Sequence, residues 1–206
     1  MRKTIKWIFF DVGSTLIDET EAYDHRVRDM IAGTNITFKE FDDARITFAQ
    51  QGLDGNSAAI KHLGLTKTPW HSEDEIPYSD AHSTLAALHD KGYKLGIIAN
   101  QKLGTVERLK AWGLRQHFDV IAASAEIGYA KPDIEIFEKA FELAKCTAAE
   151  SIMVGDRLDN DIIPAKAIGM KTVWVKNGLA QYQGAEFGEG VADYQIGSLS
   201  ELLRIL

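Results

Sequence analysis

From about residue 79 to its end the chain alternates short apolar runs with stretches of helical spacing, and no other feature limits its folding as much. Segments 80–91, 105–112, 133–145 and 161–168 carry apolar residues at helical intervals, and Gly92, Gly113 and Gly169 close three of them. Between them, 94–100, 118–122, 151–156 and 171–175 read as strands, with 193–196 and 199–206 as a last short strand and helix. The Gly-rich stretch 177–190 reads as loop. Strands separated by helices pair in parallel through right-handed crossovers and carry helices on both faces, so the expected fold class is α/β. One more strand leads the series. Trp7-Ile8-Phe9-Phe10 is an apolar run that stops at Asp11, and Gly13, Ser14 and Thr15 follow. Gly13 reads as a residue placed for backbone angles that others resist. An acid at the carboxyl end of a buried strand lies where open α/β sheets bind ligands.

Residues 18–77 break the alternation and read as an all-helical insertion. In 19–30 charge is dense, with Ala22, Val27, Met30 and Ile31 at loosely helical spacing. Thr37 is placed to cap a second helix, with Glu40 as its capping-box partner and Phe38, Phe41, Ile46, Phe48 and Ala49 as its apolar face. Gly52 ends that helix, a third spans 57–63, and Thr68-Pro69 with the acidic run 72–75 leads out to Pro77. The division expected is a core of 1–17 and 78–206 around a helical domain of 18–77.

The 206 residues suffice for one sizeable core with a small insertion. A net charge of -7 gives no electrostatic case for nucleic acid. No apolar run reaches the ~20 residues needed to cross a membrane, and no signal peptide is apparent. With one cysteine, Cys146, no intrachain disulfide can form, and its place near a helix end reads as packing. A cytoplasmic location is the expectation.

The parallel topology would gather Asp11, Asn100, the Lys131 region and Asp156 on one sheet edge. Clustered carboxylates suit a hard cation with oxygen ligands, Mg²⁺ before softer metals. A lysine beside them would pair with the anions or hold a phosphate. A carboxylate can also accept a phosphoryl group and pass it to water. At these residues the sequence resembles the haloacid dehalogenase-like hydrolase superfamily. Asp-x-x-x-Thr-Leu follows the first strand, a helical insert comes next, an apolar strand ends near Asn100, and Lys131-Pro132 precedes Gly155-Asp156 with Asp161 five residues on. The resemblance runs from about residue 5 to 206. It implies a Rossmann-like core, a small helical cap with hinges near 17–20 and 77–80, and a Mg²⁺-dependent phosphatase acting on a small phosphorylated or otherwise anionic metabolite. It implies Asp11 as nucleophile and metal ligand, and a backbone carbonyl of Gly13 as another ligand. Lys131 would steady the phosphoryl group, with Asn100 beside it as a substrate-binding residue, and Asp156 and Asp161 would complete the metal site.

Two positions depart from that family. Its phosphatases usually carry a second Asp two residues after the nucleophile, as general acid and base, and this chain has Gly13. They usually carry Ser or Thr at the end of the second strand, and this chain has Ala99. Loss of a positioned acid–base costs ~10²–10⁴-fold, most where the leaving oxygen needs a proton. The expectation is a slow or selective phosphatase, or one that borrows an acid from elsewhere, with Asp18, Asp24, His25 and the Lys61-His62 pair as candidates. Phosphonate or other carbon–heteroatom cleavage, with Lys61 forming an imine, is the alternative chemistry. A non-catalytic binding or regulatory protein on the same fold is the alternative class. Trp70, His71 and Tyr78 stand where they could line an entrance.

Overall fold

The computed structural model describes residues 5–184 and 187–206. Strand β1 (Trp7–Phe10) lies inside a six-stranded, all-parallel sheet. With β4 (Lys94–Ala99), β5 (Val120–Ala123), β6 (Ser151–Gly155), β7 (Lys171–Val175) and β8 (Tyr194–Ile196), the strand order is β5-β4-β1-β6-β7-β8. Every β1 residue is buried, because the sheet is covered on both faces. Ile8 and Phe10 point to one face, where Leu85 and Leu88 of α4 (Ala81–Asp90), Leu109 of α5 (Thr105–Ala111) and Leu202 of α9 (Leu202–Ile205) pack. Trp7 and Phe9 point to the other, against Ile136, Phe137 and Ala140 of α7 (Ile134–Ala144) and Ala165 of α8 (Ile163–Ala167). Cys146 packs at the rim of this second cluster, and burial pushes its thiol up to about 11. That is the inert role its sequence context suggests.

Helices α1 (Thr20–Ile31), α2 (Phe38–Gln50) and α3 (Gly55–His62) form the helical insertion around a small core of their own, Val27, Met30, Phe41 and Ala59. The capping box is present at the start of α2. Thr37 Oγ1 accepts from the Glu40 N–H, and the Glu40 carboxylate accepts from the Thr37 N–H. No helix among the described residues is long and apolar enough to cross a membrane.

The structure differs from the sequence expectation in several places. Residues 17–18 and 76–77 lie near the expected hinges and pair as a two-stranded antiparallel ribbon, β2 (Ile17–Asp18) and β3 (Ile76–Pro77). Two-residue strands carry no periodicity to read. A short helix, α6 (Ser124–Ile127), stands between β5 and Lys131. The helix expected over 161–168 begins instead as a π-helical turn, Leu158–Ile162, before α8. Pro164 has no N–H to offer Asn160, so a regular α ladder cannot run through this turn. The expected loop over 177–190 contains a 3₁₀ turn, Gly178–Tyr182, and two of its residues, 185–186, lie outside the described residues.

Candidate active site

After β1 the chain reaches β4 on one side, and it later returns to β6 on the other, so the topology reverses at β1. Ligands bind at such switch points, beyond the carboxyl ends of the strands. Asp11, Asn100 and Asp156 each follow one of these three neighbouring strands directly. The Asp11 N–H donates to Val154 O at 2.9 Å, which continues the sheet by one residue and ties Asp11 to β6.

Lys131 arrives from the loop after α6. Its N–H donates to Asn100 Oδ1 at 2.7 Å, and Asn100 Nδ2 donates to Lys131 O at 2.8 Å. Both Asn100 side-chain atoms therefore hold the backbone of Lys131, so the residue expected to touch substrate also positions the lysine. The Lys131 side chain is 2% exposed, and its Nζ donates to Asp11 Oδ1 and, at 2.6 Å, to Asp161 Oδ1. Burial alone would discharge it, but Asp11 and Asp161 outweigh burial and raise its pKa. The second oxygen of Asp161 accepts the Arg157 N–H at 3.0 Å. A Cβ at position 155 would lie 2.5 Å from the Asp161 Cγ, so the glycine before Asp156 is required for space.

Among the described residues Asp156 makes no ion pair of its own, and the Lys131 charge offsets only part of its burden. Burial, with Asp161, Asp11 and Glu19 close by, holds its carboxyl well above the usual range, and Thr15 Oγ1 approaches only to 3.4 Å. Asp11, Asp156 and Asp161 each offer an oxygen within 4.8 Å of the others. Three carboxylates around one lysine leave uncompensated negative charge, and hard oxygen donors in this arrangement fit a divalent cation such as Mg²⁺.

The turn after Asp11 winds tightly, with the Leu16 and Ile17 N–H groups both on Val12 O. Its left-handed residue is Ser14, at φ 52°, and Gly13 is not in that region. The expectation that Gly13 supplies unusual backbone angles is thus corrected. Glycine instead leaves room for Glu19, whose Oε1 would lie 2.5 Å from a Cβ at this position. Glu19, which caps α1, folds its carboxylate back over Gly13 and accepts from Ser14 Oγ at 3.1 Å. Burial first, then the charge of Asp11, pushes the Glu19 carboxyl up to about 8. Sequence reasoning passed over Glu19, since the contact depends on how the turn winds.

The side chains considered as borrowed acids are engaged elsewhere. Asp18 accepts from the Thr20 N–H at 2.9 Å, and Asp24 pairs with Arg45 at 2.9 Å. His25 pairs with Asp74 at 2.8 Å and stacks on His71. Lys61 and His62 are exposed on α3. Ala99 is fully buried, so no hydroxyl stands at the end of β4. Two cavities adjoin the site. One of about 280 Å³ reaches Glu19 and Asn100 and is bordered by Arg26, Lys67, Lys102 and Arg108. Another, of about 530 Å³, reaches Asp156 and Arg157. Trp70 lines the smaller one, His71 pairs with Asp29 at 2.7 Å, and Tyr78 packs on the core.

A parallel sheet with carboxylates and a buried lysine at its switch point makes the chain an α/β protein with an acidic ligand site beyond its strand ends. More particularly, the chain belongs to the haloacid dehalogenase-like hydrolases, whose family model matches residues 8–175. It is 33% identical to glyceraldehyde 3-phosphate phosphatase of Methanocaldococcus jannaschii, over 98% of this chain and 97% of that one. It is 27% identical to pyrophosphatase PpaX of Listeria monocytogenes, over 100% of this chain and 98% of that one. Its fold superposes on a phosphatase of the same family from Thermococcus onnurineus with a TM-score of 0.67 and 27% identity, over 98% of this chain and 97% of that one. A dehalogenase shares the fold alone, at a TM-score of 0.68 and 20% identity, over 100% and 99% of the two chains. The chain is thus a phosphatase of this family.

Proposed function

We propose that the protein is a Mg²⁺-dependent phosphatase of a small phosphorylated metabolite and that it works through a phosphoryl group carried on Asp11. The observation that carries this reading is the Asp11–Lys131–Asp161 chain beside Asp156, at the sheet's switch point. Lys131 engages Asp11 Oδ1 and leaves the other carboxylate oxygen to attack phosphorus. The same buried ammonium steadies the phosphoryl oxygens as the bond to the leaving group breaks. Asp161 and Asn100 hold that lysine in place from its two ends.

Asp11, the Gly13 carbonyl and Asp156 would hold the cation, with Asp161 behind them. Bound there, Mg²⁺ would neutralise charge on the transferring phosphoryl group. The helical segment 18–77 acts in this reading as a cap over the site. The smaller cavity supports a compact substrate, because about 280 Å³ bordered by four cationic side chains suits a short anion. The names of the relatives, a glyceraldehyde 3-phosphate phosphatase and a pyrophosphatase, point to the same substrate class.

The test is hydrolysis of 4-nitrophenyl phosphate and acetyl phosphate with and without Mg²⁺, with Asp11→Asn as control. Turnover that needs Mg²⁺ and is lost in the variant supports the reading. Turnover that survives Asp11→Asn, or that ignores chelation, overturns it.

A further inference from the structure

The family's phosphatases usually carry their acid–base where this chain has Gly13, and one buried carboxyl in the site has no part in the mechanism so far. We propose that Glu19 is the acid–base of this enzyme, its carboxyl delivered from the N-cap of α1 into the volume that a side chain at position 13 would take. The inference rests on the reading of Asp11 as nucleophile.

Three observations carry it. A Cβ built on Gly13 would lie 2.5 Å from Glu19 Oε1 and 2.8 Å from Cδ, so the two side chains are alternatives for one space. Ser14 Oγ donates to Glu19 Oε2 at 3.1 Å, which fixes one oxygen and leaves Oε1 free to serve as the proton carrier. Glu19 also lines the smaller cavity, together with Asn100, which holds Lys131. The carboxyl therefore stands between the substrate space and the nucleophile's turn. The candidates that the sequence offered are each tied to other partners or exposed on α3.

The chemistry balances with this one group. As an Asp11 oxygen bonds to phosphorus and the bond to the leaving oxygen breaks, that oxygen takes the Glu19 proton. The Glu19 carboxylate then takes a proton from a water whose oxygen attacks phosphorus. The Asp11–phosphorus bond breaks, phosphate leaves, and Glu19 is again protonated.

The pair 4-nitrophenyl phosphate and phenyl phosphate tests the assignment, since the two differ by one para nitro group, which removes the leaving oxygen's need for a proton. In Glu19→Gln, 4-nitrophenyl phosphate gives a burst of about one phenolate per site, because the first step needs no acid. Steady turnover then falls by ~10²–10⁴, because the second step lacks its base. Phenyl phosphate loses the burst as well. Gly13→Asp combined with Glu19→Ala restores the turnover of both substrates that Glu19→Ala alone loses, because the Asp side chain takes the space the Glu19 carboxyl leaves. The proposal is overturned if Glu19→Gln, melting like the wild type, turns over phenyl phosphate as the wild type does. Equal loss on both substrates with no burst overturns it too, as does failure of the double variant to recover turnover. A burst that persists in Asp11→Asn instead breaks the reading of Asp11, and so separates the two failures.

Discussion

The site contains the same device twice, with opposite outcomes. In each case a glycine is followed six positions later by an acid whose carboxylate presses on it, Gly155 with Asp161 and Gly13 with Glu19. Asp161 is held on both oxygens, by Lys131 on one and the Arg157 N–H on the other, and these partners limit the rise that burial gives its carboxyl to about 6. Glu19 has a single hydroxyl, from Ser14. The first carboxylate is a fixed partner for the lysine, and the second is left able to gain and lose a proton. The comparison shows that proximity to the site does not assign a role. The hydrogen-bond partners that a buried carboxylate has, or lacks, decide it.

The contact at Gly155 is the expensive one to break. A Cβ there meets the Cβ and Cγ of Asp161, which are close to the backbone and cannot swing aside. Gly155→Ala is expected to displace Asp161 from Lys131, with a loss of ~3–5 kcal/mol in denaturant unfolding and of nearly all turnover. Asp161→Ala is expected to cost a similar amount by stripping the buried lysine of one partner. Wild-type stability in either variant would mean that Lys131 does not depend on this pair.

The second largest effect concerns pH. Glu19 carries a raised folded-state pKa of about 8 against 4.5 as its ordinary value. The unfolded chain therefore binds fewer protons than the folded one between those values, and stability falls as pH rises. The contribution is whole below about pH 4.5 and is lost as pH climbs through about 8. In chelator-treated protein, melting curves across this window are expected to show a decline on the order of a few kcal/mol, shared with Asp156, Asp161 and Glu75, whose carboxyls burial also raises. Glu19→Gln flattens the slope, and an unchanged slope would remove Glu19 from the account.

Gly13→Ala sharpens the comparison by its mildness. The added Cβ meets the far end of the Glu19 side chain, which can move. A stability change of ~1 kcal/mol or less is expected, with turnover of phenyl phosphate reduced more than that of 4-nitrophenyl phosphate. A loss matching that of Gly155→Ala would show the two contacts to be equivalent. The smallest effect lies at the edge of the larger cavity, where Arg157 reaches Asp54 of the helical segment at 3.3 Å, both side chains well exposed. Asp54→Ala, which also removes a cap of α3, is expected to cost ~1 kcal/mol. Its further effect on KM rather than kcat would show that this pair bears on access to the site.

Much of the fold was legible because its signals are local. The apolar runs at β1, β4, β6 and β7, the glycine stops and the Thr37–Glu40 box each depend on a few neighbouring residues. Where a non-local partner sets the structure, the reading failed. The β2–β3 ribbon pairs residues some sixty positions apart. Asn100, read as a contact for substrate, lines the smaller cavity but also spends its amide on the Lys131 backbone, a partner no local pattern shows. Gly13, read as a backbone specialist, is a steric one.

The sequence by itself determined the alternation of strands and helices, and so the parallel sheet and the edge on which Asp11, Asn100, the Lys131 region and Asp156 gather. Those follow from periodicity and from the handedness of crossovers, which any chain with this pattern obeys. Only the tertiary structure decided which carboxylate is paired, which is left without a cation, and that Glu19 fills the space beside Gly13. Desolvation and hydrogen bonding act over a few ångströms in three dimensions, and no spacing along the chain records them.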